Sequence, residues 1–113
     1  MLKLNSEKIE IKVKFANTFF KRFKGLMFTR KSKFDYILIF DMPSLSRIKN
    51  SLHMLFVFYP IFAVFLDENN IVVDKSILSP FQLHYMPKKD CKYILEMPIE
   101  FNDKIKLNDK ISW

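Results

Sequence analysis

A single glycine, Gly25, in a chain of 113 residues is the feature that most limits what this sequence can fold into. Phosphate-binding loops of the GxGxxG or GxxxxGK[ST] type need more than one glycine, because the backbone must pass close to the phosphate groups. Nucleotide-binding folds built on such loops are therefore excluded. The turns must instead use asparagine, aspartate and proline, which tolerate or preset the required backbone angles.

The apolar content is high enough for one sizeable core. Half of the residues are hydrophobic, and 13 of them are phenylalanine. A folded chain of this size buries about two-thirds of the surface that its unfolded form exposes. No repeat, linker or low-complexity tract marks a boundary, so we expect residues 1–113 to form one β-rich domain.

The longest apolar run, residues 54–66, does not predict a membrane span. It is shorter than the about 20 residues that a spanning helix needs, and Pro60 interrupts it. We interpret it as two buried strands joined at the proline. The N-terminus lacks the apolar segment of a signal peptide, and the one cysteine, Cys91, excludes a disulfide within the chain. These features predict a cytoplasmic protein without membrane contact.

Short alternating strands dominate the predicted secondary structure. Residues 8–15 place Ile9, Ile11, Val13 and Phe15 on an inner face, which predicts a half-buried strand. Further strands are predicted at residues 36–42 (ended by Pro43), 51–58, 61–67, 71–77, 92–97, 104–107 and 110–113, with a hairpin turn at Asp67–Asn70 and loops at 43–50 and 78–90. This pattern predicts a mostly-β fold, a compact antiparallel β sandwich or barrel.

One short α-helix is predicted in the N-terminal half of the chain. Asn17 or Thr18 can cap its first turn with a side-chain oxygen. Gly25 stands where a left-handed helix end favours glycine. The predicted inward side chains are Phe19, Phe20 and Phe23, and the predicted outward side chains are Lys21, Arg22 and Lys24.

A succession of short motifs covers nearly the whole chain. Residues 22–28 resemble an R-x-x-GLM-x-R motif, and residues 37–40 resemble a GMLFxF strand without its glycine. Residues 52–67 resemble F-x-M-x-N-T-x-x-P-L-D-I-x-F-I-D, residues 91–97 resemble A-x-Y-V-L-E-V, and residues 104–111 resemble G-I-x-x-G-D-x-V. In this order they resemble an archaeal-type member of the uncharacterised family known as domain of unknown function 192 (DUF192).

The resemblance implies a compact β-rich domain with one short helix and no established activity. The chain departs from the family pattern at Phe56 and Val57, where the pattern has Asn-Thr, and at Phe62, where it has Asp. A family site lined by those polar groups would be altered here. Asn108 replaces the glycine before Asp109 and is expected to take that turn instead.

The leading functional hypothesis is a non-enzymatic module that binds a small ligand or a protein. The turn at Gly25–Met27 has no obvious packing role, which favours a site beside it. We expect Ser51, His53 and Met54 to form the wall of this site. The candidate ligand-binding residues are Arg22, Gly25, Met27, Ser51, His53, Met54, Asp67 and Glu96.

A second hypothesis is the binding of nucleic acid or another polyanion. Lysine and arginine number 19 against 12 acidic residues, a net charge of +7, and Phe28, Phe34 and Tyr36 could stack on bases. The candidate residues are Lys12, Lys14, Lys21, Arg22, Lys24, Arg30 and Lys31. The alternative is a solvated lysine-rich surface, and lysine favours phosphate contact over base reading.

A third hypothesis is an enzyme that uses His53, Asp67 or Glu96 in acid–base chemistry. Asp67 is expected to bond the backbone of its own turn, and Glu96 can pair with a lysine or arginine. A metal site from these residues with His84 and Cys91 would need a ligand spacing that the chain lacks, and Cys91 is interpreted as a small buried residue. We therefore expect no metal and no cofactor, and we assign no catalytic residue.

Overall fold

Two β-sheets form the frame of the computed structural model, which describes residues 2–113. The elements in chain order are β1 Leu2–Leu4, β2 Glu7–Ile9, β3 Lys12–Ala16, α1 Phe19–Lys24, β4 Tyr36–Ser46, β5 Ile61–Leu66, β6 Val72–Leu78, β7 Cys91–Met97 and β8 Ile111–Ser112, with 3₁₀ turns at Lys31–Lys33 and Ile99–Phe101. The small sheet has the order β2-β1-β8, and the large sheet has the order β3-β4-β7-β5-β6.

The predicted mostly-β, sandwich-like class with one short helix is confirmed. Both sheets are open within residues 2–113, so the barrel alternative is excluded there. All strand pairs are antiparallel except β3 and β4, which are parallel. A parallel pair needs a long crossover, and the segment that contains α1 supplies it.

The strands β5 and β7 and the first five residues of β4 are buried on both faces of the large sheet, and this burial divides the core into two apolar clusters. One cluster, which includes Ile37 and Leu95, lies between the large sheet and the small sheet. The other, which includes Phe40 and Ile94, lies under the Gly25 turn and the segment 47–60. Each fully buried aliphatic or aromatic side chain contributes about 1.5–3 kcal/mol. The second cluster borders the candidate site.

The predicted strand 8–15 is wrong in its continuity, because the chain changes sheets at residues 10–11. The Ile11 N–H donates a hydrogen bond to the Ile9 carbonyl oxygen at 3.1 Å, which turns the backbone between β2 and β3. Since β3 is an edge strand of the large sheet, Phe15 is 46% exposed rather than buried.

The predicted ends of the helix are confirmed, but the prediction of which side chains face inward is wrong. Thr18 Oγ1 accepts a hydrogen bond from the Lys21 N–H at 3.2 Å, and Gly25 ends the helix at φ +48°. Phe20 and Phe23 are 72% and 57% exposed, so their predicted burial is wrong. The buried contact comes from Leu26, in the turn after this six-residue helix. Arg22 is half-buried rather than outward, and the Phe19 side chain lies outside the described part of the structure.

The predicted end of the strand at Met42 is wrong, since β4 continues to Ser46. Its pairing with β7 shifts register between Asp41 and Ser46. Pro43 lies in this irregular stretch, where its missing N–H removes no ladder hydrogen bond. Residues 43–46 therefore belong to β4, and only residues 47–50 of the predicted loop remain outside a strand.

The predicted strand 51–58 is also wrong. Leu52 forms one isolated bridge with Tyr85, and Phe56 adopts φ +57°, which ends any extended conformation. The segment finds no strand to pair with along its length, so it covers the core as an irregular layer. Met54 and Val57 still bury their side chains.

The predicted strands 61–67, 71–77, 92–97 and 110–113 are confirmed as β5, β6, β7 and β8, with ends that differ by about one residue. Asp67 Oδ1 accepts hydrogen bonds from the N–H groups of Asn69 (2.8 Å) and Ile71 (3.0 Å), so the predicted turn is confirmed. Asn108 takes the turn at φ +72°, also as predicted. Residues 104–107 form turns rather than the predicted strand. No helix in the described part of the chain is long and apolar enough to cross a membrane.

Candidate functional site

A cavity of about 60 Å³ lies where the Gly25 turn and the segment 47–60 meet the large sheet. The helix α1 and its turn form one wall, β4 and β7 form the floor, and the segment 47–60 forms the opposite wall. Its lining residues are Arg22, Phe23, Lys24, Gly25, Leu26, Met27, Phe40, Met42, Ser51, Leu52, His53, Val57 and Glu96.

A wider cleft of about 410 Å³ adjoins this inner cavity. The two spaces share five lining residues, which are Arg22, Phe23, Met42, Ser51 and His53. The cleft adds Pro43, Ser44, Lys49 and Asn50. The shared residues therefore lie where the two spaces, both partly open, meet. We call this place the passage, and the two spaces the inner cavity and the outer cleft.

Glu96 is the one acidic residue that lines the inner cavity. It lies in β7 opposite Leu38 of β4 and Ala63 of β5, and it is 3% exposed. Its Oε1 atom has no hydrogen-bond partner in the described residues, so the predicted pairing with a lysine or arginine is wrong. Burial raises the pKa of this carboxyl to about 8. Near neutral pH, Glu96 is therefore mostly protonated.

Gly25 brings the backbone close to this carboxyl. A Cβ atom at this position would lie 3.6 Å from Glu96 Oε1 and 3.4 Å from Phe40 Cζ. The backbone angle φ of +48° is one that residues with a side chain adopt at a cost. The only glycine of the sequence thus both ends the helix and roofs the cavity above Glu96.

Arg22 and His53 provide polar groups at the passage. Arg22 Nη1 donates a hydrogen bond to the Asp41 carbonyl oxygen at 3.3 Å, and a guanidinium group has four further N–H donors. His53 Nδ1 accepts a hydrogen bond from the Leu55 N–H at 3.2 Å, so Nε2 carries the proton of the neutral ring. The His53 ring packs against Phe23 at a centroid distance of 6.1 Å.

Two buried tyrosines lie behind Glu96. Burial, followed by the charges of Tyr36 and Glu96, raises the pKa of Tyr59 to about 12. Burial and the nearby Glu96 carboxyl also raise the pKa of Tyr36. The Tyr59 hydroxyl, like Glu96 Oε1, has no partner in the described residues. Both phenols stay neutral wherever Glu96 titrates.

The predicted ligand-binding residues do not all meet. Arg22, Gly25, Met27, Ser51, His53 and Glu96 line the inner cavity. Met54 points from the segment 47–60 into the core, and Asp67 caps the β5–β6 turn, so neither lines the inner cavity or the outer cleft. The sequence analysis did not identify Lys49 and Phe40 as residues that line the site. No motif marks Lys49. Phe40 could have been found, because alternation along β4 places it on the same face as Leu38, the strand partner of Glu96.

Only some of the predicted polyanion-binding residues have local partners. Lys12 pairs with Asp35 at 3.1 Å, which together with a weaker charge effect holds the pKa of Asp35 below its usual value. The Lys14 ammonium lies 4.1 Å from the centroid of the Tyr36 ring. Arg22 and Lys24 line the inner cavity. The exposed remainder is Lys21, Arg30 and Lys31.

The described residues form no site suited to metal binding or thiol chemistry. Within residues 2–113, no group of three or more His, Cys, Asp or Glu side chains is placed to hold a metal ion. His84 is exposed. Cys91 is buried, as predicted, and its Sγ donates to the Ser46 carbonyl oxygen at 3.6 Å. Burial raises the pKa of this thiol to about 12, so it is not a thiolate nucleophile at neutral pH.

The sequence pattern of the DUF192 family, described as Uncharacterized ACR, matches residues 2–113, and the chain belongs to this family. A UPF0127 protein from Pyrococcus furiosus is 41% identical over 109 residues, which cover 95% of this chain and 90% of that protein. A UPF0127 protein from Thermococcus sibiricus is 41% identical over 104 residues, which cover 90% of this chain and 66% of that protein. The predicted archaeal-type membership is confirmed.

Two solved structures share the fold. A protein of unknown function from Novosphingobium aromaticivorans has a TM-score of 0.77 at 20% identity, over 89% of this chain and 74% of that chain. A candidate transcription regulator from Sinorhizobium meliloti has a TM-score of 0.78 at 16% identity, over 88% of this chain and 79% of that chain. At these identities the likeness shows the fold alone.

Proposed function

We propose that this chain, as one domain, binds a small organic molecule in the inner cavity and outer cleft without transforming it. The observation that carries the proposal is the Glu96 carboxyl, which is buried, borders a cavity and leaves Oε1 without a partner. An unsatisfied buried polar group costs about 1–3 kcal/mol. A ligand that hydrogen-bonds to Oε1 would recover this cost, so the free protein is prepared for an occupant.

The dimensions of the two spaces support a small ligand. A bound water needs roughly 10–15 Å³, so the inner cavity of about 60 Å³ has room for a head group of a few heavy atoms. The outer cleft of about 410 Å³ falls in the size range of small-molecule sites. Apolar walls such as Leu26 and Val57, with a small set of polar groups such as Arg22 and His53, are typical of such sites.

Acid–base catalysis is the second candidate function, because His53 and Glu96 line one cavity. A carboxyl with a pKa of about 8 is suited to proton transfer near neutral pH. Binding is favoured because His53 Nδ1 already accepts a backbone hydrogen bond and Asp67 lies elsewhere. The Glu96→Gln variant separates the two, since glutamine keeps hydrogen bonding but cannot transfer a proton.

Polyanion binding has weaker support. Lys12 is paired with Asp35, and Lys14 packs on Tyr36, so both have local roles. A fluorescent single-stranded oligonucleotide titrated at low and moderate salt tests this function. Affinity that falls steeply with salt would favour it, because phosphate contacts release counterions. We expect no specific binding.

A thermal-shift screen of small polar metabolites tests the proposed function. A ligand that binds only the folded state raises the melting temperature in a concentration-dependent way. Ser51→Phe would fill the passage, and Ser32→Phe adds the same ring to the exposed 3₁₀ turn as a control. We expect shifts in the wild type and in Ser32→Phe that are lost in Ser51→Phe. Equal shifts in both variants would refute the cavity as the site.

A further inference from the structure

We propose that the ligand is a small organic acid, whose carboxylate lies between Arg22 and the buried, unpartnered carboxyl of Glu96. This assignment rests on the proposed function and names the chemical class of its ligand. Three observations support it: the charges of the residues that line the two spaces, the absence of a hydrogen-bond partner for Glu96 Oε1 in the described residues, and the size of the inner cavity.

The charged groups that line the site favour an anion. The cations are Arg22 and Lys24 at the inner cavity and Lys49 at the outer cleft. The outer cleft has no acidic residue among its described lining residues. With Glu96 protonated, the charged side chains that line the two spaces are all cationic, and they attract a carboxylate and repel an amine.

The Glu96 carboxyl offers the complementary hydrogen bond. A protonated carboxyl has one O–H donor and further acceptor capacity. A carboxylate oxygen placed in the inner cavity can accept this hydrogen bond, and O–H···O⁻ bonds are short and strong. The unused N–H groups of Arg22 can bind the second carboxylate oxygen. The inner cavity of about 60 Å³ has room for a carboxylate and little more, so the rest of the ligand would occupy the outer cleft.

Proton uptake accompanies binding in this arrangement. The ligand needs the protonated form of Glu96, and burial keeps that form dominant until the pH approaches 8. The other titratable or charged groups near Glu96 are Arg22 and Lys24 from α1, His53 and Tyr59 from the segment 47–60, and Tyr36 from β4. Its partner residues Leu38 and Ala63 on the flanking strands do not titrate.

Calorimetric titration with acetate, propionate and butyrate tests the assignment. Propylamine and propionamide serve as the cationic and neutral probes of matched size. We expect the acids to bind best, and their affinity to fall about tenfold near pH 9, where roughly one Glu96 in ten stays protonated. Titration in two buffers of different ionisation enthalpy should show uptake of almost one proton per acid at that pH.

Variants separate the roles of the two groups. Glu96→Gln keeps an N–H donor that does not ionise, so acid affinity should lose its dependence on pH. Arg22→Gln should weaken the acids while sparing propionamide, and Arg30→Gln, which is exposed and lines neither space, is the matched control.

The outcomes distinguish the assignment from the function on which it rests. Binding of the amine or the amide without the acids would overturn the organic-acid assignment and leave a small-molecule site. An acid affinity that is constant up to pH 9 in the wild type would also overturn it. Binding of no probe, with no hit in the metabolite screen, would overturn both.

Discussion

The substitution Glu96→Gln is expected to change the pH dependence of stability in one direction. Burial raises the pKa of Glu96 from 4.5 to about 8 in the folded protein. Between these values the folded state holds a proton that the unfolded state has released. Stability from this group is therefore complete below pH 4.5 and is lost as the pH rises through 8. Glutamine cannot ionise, so the variant lacks this loss.

The magnitude follows from the size of the pKa difference. One pKa unit corresponds to about 1.4 kcal/mol. Integrated between about pH 5 and about pH 8.5, the Glu96 shift lowers the free energy of unfolding by about 4 kcal/mol. That is a large part of the about 5–15 kcal/mol that stabilises a typical domain.

Urea unfolding at several pH values in this window measures the effect. This pH range lies above the lowered pKa values of Asp35 and Asp109 and below the pKa of about 12 of Cys91. These three groups therefore do not titrate within it. We expect the wild type and Glu96→Gln to differ by less than about 1 kcal/mol near pH 5 and the variant to be several kcal/mol more stable near pH 8.5. Parallel curves for the two proteins would refute the reasoning.

Changes at three further residues give independent tests. Gly25→Ala should lower the free energy of unfolding by about 1–2 kcal/mol, because its φ of +48° disfavours a side chain, and an unchanged denaturation midpoint would contradict this. Asp67→Ala should lose about 1–2 kcal/mol with its two turn hydrogen bonds, whereas Asp67→Asn keeps an acceptor and should lose less, so equal losses would refute the cap. Cys91 should resist alkylation at neutral pH until the protein unfolds, and fast labelling of the native state would show that the thiol is accessible.

The local signals in the sequence were sufficient for the helix ends and the turns. Thr18 and Gly25 bound the helix because a cap and a left-handed end are decided by neighbouring residues. Asp67 and Asn108 shape their turns for the same reason. The segment 51–58 has the apolar composition of a strand but no neighbouring strand along its length, and partners are set by the whole chain.

The candidate site depends on contacts between segments that are distant in sequence. Gly25, Ser51 and Glu96 meet in space only because β7 lies in the middle of the sheet and the two covering segments cross it. Alternation along β7 places Glu96 on the face of Ile94, so this part of its position can be predicted from the sequence. The burial of Glu96 without a cationic partner could not be predicted, because this requires knowing that no lysine or arginine side chain reaches it.

The most direct test of the central claim is to locate a bound small molecule by NMR. Intermolecular NOEs are recorded between a pool of small acids, amides and amines and the methyl groups of the protein. Leu26 and Val57 line the inner cavity, whereas Val64 and Leu95 lie in the cluster on the other side of the sheet. NOEs to Leu26 and Val57 are the predicted result. NOEs confined to other methyl groups, or none from any probe at millimolar concentration, would contradict a small-molecule site at Glu96.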